Sequence, residues 1–211
     1  MTPFFNISLV FALLLAPLAA APAYQTIDEA IAKGDLADVK LHLAANPASL
    51  DQGHDKVRSP LAQAVQRNKT EIALFLLQAG AKPGGQDSSQ RTTLHLAVDR
   101  RNAALVTALL MAKVNPNLGD KDGWTPLHHA AAKNLLEIAK LLLEGGADPM
   151  KLSALGGTAL HEAAASAGAE LVQLLLDHKV DPTIVSKDGV TALDLAKKYK
   201  NQPAIDVLSK R

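Results

Sequence analysis

The chain has 211 residues, with 22 lysines and arginines against 21 aspartates and glutamates, a formal net charge of +1, and no cysteine. This near-balance of charge provides no bulk attraction to nucleic acid or to an anionic surface. The missing cysteines exclude disulfide bonds and a lipid anchor on a cysteine side chain. Stability therefore has to come from the burial of apolar residues, which make up 48% of the sequence.

Residues 1–23 contain no charged side chain and differ in kind from the rest of the chain. An apolar run over residues 9–15 is followed by small residues, which is typical of a secretory signal peptide. Ala21-Pro22-Ala23 fits the small-x-small cleavage rule and predicts a mature chain that starts at Tyr24. We therefore expect residues 24–211 to be periplasmic or secreted.

Two alternatives remain for this segment. Cleavage after Ala21 also fits the small-residue pattern, although Pro22 would then follow the cut, which signal peptidases disfavour. An uncleaved membrane anchor is the other alternative. Asn6, Ser8 and Pro17 leave its apolar run short for a membrane span of about 20 residues.

A hydroxyl residue recurs every 33 residues in the remaining chain, and the fullest copy of the surrounding motif is Thr125-Pro126-Leu127-His128-His129-Ala130. A fixed period of this length predicts stacked helix-turn-helix repeats. Because no linker interrupts the period, we expect one domain over residues 24–211, with atypical first and last repeats as polar caps. The recurring residues are Thr26, Ser59, Thr92, Thr125, Thr158 and Thr191.

Each of the first five copies also carries an apolar pair spaced i, i+4, which lies on one face of a helix. Gly80 and Gly146 follow two of these helices, at the place where a left-handed residue ends a helix. Lys113 and Lys179 occupy the same place in two other copies, where a left-handed conformation costs about 1 kcal/mol. The apolar pairs are Val39–Leu43, Ile72–Leu76, Leu105–Leu109, Ile138–Leu142 and Leu171–Leu175.

Together these features resemble the ankyrin repeat family over the whole chain from Thr26 to the C-terminus. The resemblance implies an all-α solenoid of about six helix-turn-helix repeats joined by short β-hairpin turns. The repeats would start near residues 26, 59, 92, 125, 158 and 191.

The recurring histidines His95, His128 and His161 are the first candidates for chemistry. Neighbouring repeats stack at about 8–10 Å, too far apart for two side chains to share one zinc ion. The resemblance implies instead that each imidazole bonds the threonine at the start of its own helix. The chain has no catalytic cysteine, nucleophile elbow, phosphate loop or zinc-protease motif. We therefore predict no enzyme activity, no cofactor and no metal.

The family resemblance places the binding surface in a concave groove, made by the hairpin tips and the exposed sides of the first helices. Trp124 is the only tryptophan, and we expect its ring to be exposed at a central tip. Tryptophan and arginine are enriched at interface hot spots, and a basic rim suits a partner protein with an acidic patch. Nucleic acid is disfavoured, because acids are interleaved with these cations and no aromatic series is present for base stacking. The predicted partner-binding residues are Arg58, Arg67, Arg91, Arg100, Trp124, His129 and Lys133.

The functional expectation follows from the repeats. The chain resembles small exported bacterial ankyrin repeat proteins, some of which are associated with catalases and peroxide resistance. That resemblance implies a non-enzymatic protein-protein interaction module that acts as an exported accessory or scaffold protein. We expect it to be a monomer that leaves the membrane once the signal segment is removed. The alternative is a regulatory or inhibitory subunit of an envelope enzyme.

Overall fold

The computed structural model describes residues 21–52 and 58–210, so residues 1–20 of the predicted signal segment lie outside it. The described part consists of α-helices and turns, with one short 3-10 helix at Pro47–Leu50 and one isolated antiparallel bridge between Gln86 and Thr92. No helix within it is both long enough and apolar enough to cross a membrane. Its α-helices are α1 (Ile27–Lys33), α2 (Leu36–Ala45), α3 (Pro60–Gln66), α4 (Thr70–Gln78), α5 (Thr93–Asp99), α6 (Ala103–Met111), α7 (Pro126–Ala132), α8 (Leu136–Glu144), α9 (Ala159–Ser166), α10 (Ala169–Asp177), α11 (Ala192–Lys198) and α12 (Gln202–Leu208).

These helices form successive pairs that stack in two layers. The first helices of neighbouring pairs pack against one another, as do the second helices, and each first helix packs on its own second helix. The core lies between the layers. Four of the five predicted apolar pairs, from Ile72–Leu76 to Leu171–Leu175, are at most 4% exposed. The prediction of an all-α repeat solenoid is confirmed.

Left-handed residues end the helices where the sequence predicts them. Gly80 and Gly146 have φ angles of 92° and 89°, and Lys113 and Lys179 take φ angles of 62° and 65°. The left-handed conformation predicted for these two lysines is confirmed. A second set of left-handed residues, which the sequence analysis missed, follows the first helices, with φ between 51° and 55°: Asn68, Arg101, Asn134 and Lys200.

In the first repeat the first helix and its turn are one residue shorter than the register implies, although Ser59 still follows Thr26 by 33 residues. Gly34, with φ of 84°, follows α1 directly, whereas Arg67 separates α3 from the left-handed Asn68. Helix α2 is therefore shifted by one position relative to α4. Val39 is fully buried, but its predicted partner Leu43 is only half-buried. The prediction of an unbroken register is therefore wrong within the first repeat.

The connections between repeats are tight turns that bond to their neighbours. Within one turn the Asp120 N–H donates to the Trp124 carbonyl at 2.9 Å, and the Ala154 N–H of the next turn donates to the Asp122 carbonyl at 2.9 Å. Gly123 has φ of 72°, and a Cβ there would lie 2.6 Å from the Ala154 nitrogen. The turns therefore form a bonded row along one edge of the stack.

Candidate functional site

The three recurring histidines bond the start of their own helices, as the family resemblance implies. Nδ1 of His95 accepts a hydrogen bond from the Thr92 N–H at 3.1 Å, and the same contact recurs in the next two repeats at 3.2 Å and 3.1 Å. Because Nδ1 accepts, the ring proton is on Nε2. Nε2 of His95 donates to the Trp124 carbonyl at 2.8 Å, which joins one repeat to the next turn.

Burial keeps these imidazoles neutral. His128 is 1% exposed, and burial lowers its pKa to about 4, against the opposing effect of the Gly157 carbonyl that accepts from its Nε2. Burial likewise lowers the pKa of His95 and of His161. Protonation of Nδ1 would also break the bond from the threonine N–H. These histidines are therefore structural, and among the described residues no group of three or more His, Asp or Glu side chains is placed to hold a metal.

A central charge cluster occupies the middle of the predicted groove and is built from three cations and three carboxylates. Asp99, at the end of α5, contacts a cation in α7 and the cation that follows this helix: its Oδ1 is 3.0 Å from Nδ1 of His129 and also contacts Nζ of Lys133. Its Oδ2 is 3.2 Å from Nη1 of Arg91. The members of the central cluster are Asp87, Arg91, Asp99, Asp120, His129 and Lys133.

His129 bridges two repeats within this cluster. Its Nδ1 faces Asp99 at 3.0 Å and its Nε2 faces Asp120 at 3.0 Å, and only the protonated imidazolium has an N–H on both nitrogens. Burial opposes that charge, but the two carboxylates outweigh it and raise the pKa of His129. Burial raises the pKa of Asp99, but His129 and Lys133 together bring it below its usual range. The cluster is therefore charged but internally balanced.

Trp124 is half-buried rather than exposed at a tip, which corrects the expectation for its ring. The indole stacks on His128, with ring centroids 6.3 Å apart, and meets the edge of His129 at 5.5 Å. Both rings come from α7, directly after the tip that carries Trp124. The indole therefore packs on the capping histidine and on His129 of the central cluster, and it supports the fold.

The remaining three predicted arginines form a second group in the groove. An open cleft of about 350 Å³ is lined by Arg58, Gln66, Arg67 and Arg100. Arg67 and Arg100 are exposed, and Arg58 is half-buried with its Nη1 bonded to Gln66. None of the ion pairs formed within residues 21–52 and 58–210 includes any of these three arginines. We call Arg58, Arg67 and Arg100 the arginine cleft.

The structure thus divides the seven predicted residues into the arginine cleft and a neutralised centre with Trp124. The sequence shows acids interleaved with these cations, but the ion pairs that neutralise the centre were not predicted. A signal for one of them was present: Asp99 immediately precedes Arg100, and Lys133 stands one 33-residue period after Arg100. Equivalent positions of adjacent repeats lie side by side. The 33-residue register therefore places Lys133 beside Arg100, and so close to Asp99.

A comparison with family models supports the same architecture. The model described as ankyrin repeats in three copies matches residues 27–120, 61–153 and 146–211, which together reach from α1 to the end of the chain. A comparison with curated proteins finds no match. Ankyrin repeats bind other proteins, and domains of this kind are typically non-enzymatic. The chain belongs to the ankyrin repeat family and is a protein-protein interaction module.

Proposed function

We propose that this protein is an exported accessory protein that binds one partner protein through the arginine cleft. The observation that carries the proposal is the contrast in charge pairing along the groove. Arg91 and Lys133 are held by acids of the same chain, whereas Arg58, Arg67 and Arg100 have no carboxylate within ion-pair distance among the described residues. Unpaired guanidinium groups in an open cleft are available to an incoming partner.

The chemistry of the cleft favours a carboxylate-rich partner. A guanidinium binds a carboxylate through two parallel hydrogen bonds, which gives both direction and strength. Arg67 and Arg100 occupy equivalent positions in adjacent repeats, which stack at about 8–10 Å. An extended strand rises about 3.3 Å per residue and alternate residues share a face, so acids two residues apart lie about 6.6 Å apart on one face, within reach of both long arginine side chains. The expected partner therefore presents an acidic patch or an acidic extended segment.

The role we propose is binding rather than catalysis, and the protein acts as a monomer after cleavage before Tyr24. Export rests on the uncharged apolar segment and the small-x-small site that precedes Tyr24.

A place in peroxide resistance rests only on the resemblance to exported ankyrin proteins. It predicts that loss of the protein lowers survival of its host under hydrogen peroxide, and that survival is restored by the intact chain but not by an Arg67→Glu/Arg100→Glu variant.

Capture of the partner tests the proposal. Mature protein carrying a photo-crosslinker at Gln66, within the cleft, is incubated with envelope extract, and crosslinked proteins are identified by mass spectrometry. The proposal predicts a product that is lost in the Arg67→Glu/Arg100→Glu variant. The matched control, Lys82→Glu/Lys151→Glu, makes the same charge change at exposed lysines outside the cleft and should retain the product. Equal capture by all three proteins would contradict the assignment of the cleft.

A further inference from the structure

Two polar side chains of α2 hold the start of the described chain. Asp38 is 3% exposed, and its Oδ1 and Oδ2 accept hydrogen bonds from the N–H groups of Ala23 at 2.5 Å and Tyr24 at 3.2 Å. Nε2 of His42 lies 3.1 Å from the Tyr24 carbonyl, and so donates to it, and 3.4 Å from Asp38. The backbone around Tyr24 is therefore fixed across the N-terminal cap.

The position of Asp38 is apolar in the next repeat. After the one-residue shift of the first repeat, Asp38 takes the place that Ile72 has in α4, a residue 2% exposed in the core. A buried carboxylate costs free energy unless a charge or several hydrogen bonds compensate for it. A charged donor in place of two neutral amides would compensate for it more fully, because hydrogen bonds between ionised groups are stronger.

We propose that Asp38 and His42 form a receptor for the α-ammonium group of a chain cleaved before Tyr24. The inference rests on the processing step of the proposed function. Hydrolysis of the Ala23–Tyr24 peptide bond adds the hydroxyl of water to the Ala23 carbonyl carbon and a proton to the Tyr24 nitrogen. That nitrogen then takes a second proton from solvent and becomes an ammonium group.

We call this contact of Asp38 and His42 with the Tyr24 backbone the latch, and its geometry is already present. The Tyr24 nitrogen lies 3.2 Å from Oδ2 of Asp38, and its new N–H groups replace the donor that leaves with Ala23. His42 holds the Tyr24 carbonyl from the other side. Two further acids lie close by among the described residues: Asp35, whose Oδ1 accepts from the Asp38 N–H at 3.0 Å, and Glu29 of α1, which is exposed and accepts from the Gln25 N–H at 3.0 Å. Processing thus replaces a contact between the Asp38 carboxylate and neutral amides with an ion pair, which anchors the end cap of the solenoid.

Reactivity of the terminal amine tests the latch, and it does not depend on export. Chains that start at Tyr24 or at Ala21 are released from a fusion by a site-specific protease, and both contain every buried core residue of the described chain, from Ile27 to Leu208. Acetylation of the α-amine by acetic anhydride is followed by mass spectrometry between pH 6 and 10. Free α-amines titrate near pH 8, and because only the neutral amine reacts, an ion pair that raises this pKa by one unit slows the reaction about tenfold below pH 8 and little at pH 10.

We expect the Tyr24 amine to react about tenfold more slowly than the Ala21 amine, which lies on an exposed residue. Asp38→Asn in the Tyr24 chain should restore the faster rate, whereas Glu29→Gln should change the rate less than about twofold. Equal rates in the Tyr24 chain and its folded Asp38→Asn variant would overturn the latch. If that variant does not fold, the comparison of the Tyr24 and Ala21 chains decides. A different N-terminus on exported protein would contradict the processing step, while the latch would still be decided by the defined chains.

Discussion

The neighbours His128 and His129 should shift the stability of the fold in opposite directions with pH. His128 has a folded pKa of about 4 and an ordinary value of 6.5. Between these values the unfolded chain binds a proton that the folded chain does not, so stability falls as pH falls through this window. At about 1.36 kcal/mol per pKa unit, the full window corresponds to roughly 3 kcal/mol.

For His129 the sign is reversed. Asp99 and Asp120 raise its folded pKa, so its contribution is fully present below the ordinary value of 6.5 and is lost as pH rises through the raised value. The same contacts lower the pKa of both carboxyls, so their contribution is present above about pH 4 and is lost as pH falls through their lowered values. Between pH 4.5 and 6.5 these two carboxylates change the free energy of unfolding little with pH. The effects of the two histidines can therefore be distinguished.

Urea unfolding of the wild type, His128→Gln and His129→Gln at pH 4.5, 5.5, 6.5 and 7.5 measures these slopes. We expect His128→Gln to be destabilised at pH 7.5, because it loses the bonds to Thr125 and Gly157. Its deficit should shrink by about 2–3 kcal/mol at pH 4.5, since glutamine does not titrate. His129→Gln should be most destabilised at low pH. Parallel pH profiles for the wild type and His128→Gln, or a His128 pKa near 6.5 by NMR, would refute the reasoning.

Three further stability predictions follow from the backbone and the core. Lys113→Gly and Lys179→Gly should each be neutral or stabilising by up to about 1 kcal/mol in urea melts, because glycine relieves the left-handed strain; a larger loss would contradict that conformation. Leu142→Ala, at a fully buried position, should cost about 2–5 kcal/mol in the same assay; a loss under about 1 kcal/mol would mean that the site is not core. Gly123→Ala should cost more than about 1 kcal/mol, because its Cβ would lie 2.6 Å from the Ala154 nitrogen; wild-type stability would show that the turns do not approach so closely.

Periodicity alone was enough to predict most of the fold. The apolar pairs fix which face of α4, α6, α8 and α10 is buried, and the place of Gly80 fixes the left-handed conformation of Lys113. The shift in the first repeat was not predicted, because Thr26 keeps the period while the shortening occurs after it, at Gly34. After a single-residue deletion of this kind, the apolar residues of the second helix fit both the original register and the register shifted by one position.

The site was less predictable, because charge pairing depends on contacts between repeats. Asp87 and Asp120 belong to turns and read as turn formers, yet they bind Arg91 and His129. A sequence position also does not show how far a large side chain folds back. Trp124 was expected to be exposed, and it packs instead on the imidazoles of α7, because both rings lie within reach of the turn.

The arginine cleft is proposed to bind a protein partner through the partner's carboxylates. Titration calorimetry of the captured partner, at two salt concentrations, measures this binding for the wild type, Arg67→Glu/Arg100→Glu and Lys82→Glu/Lys151→Glu. We expect at least about a tenfold rise in Kd for the cleft variant, an effect that shrinks at high salt, and an unchanged Kd for the control. A Kd for the cleft variant that equals the wild-type value, with folding intact by circular dichroism, would contradict it.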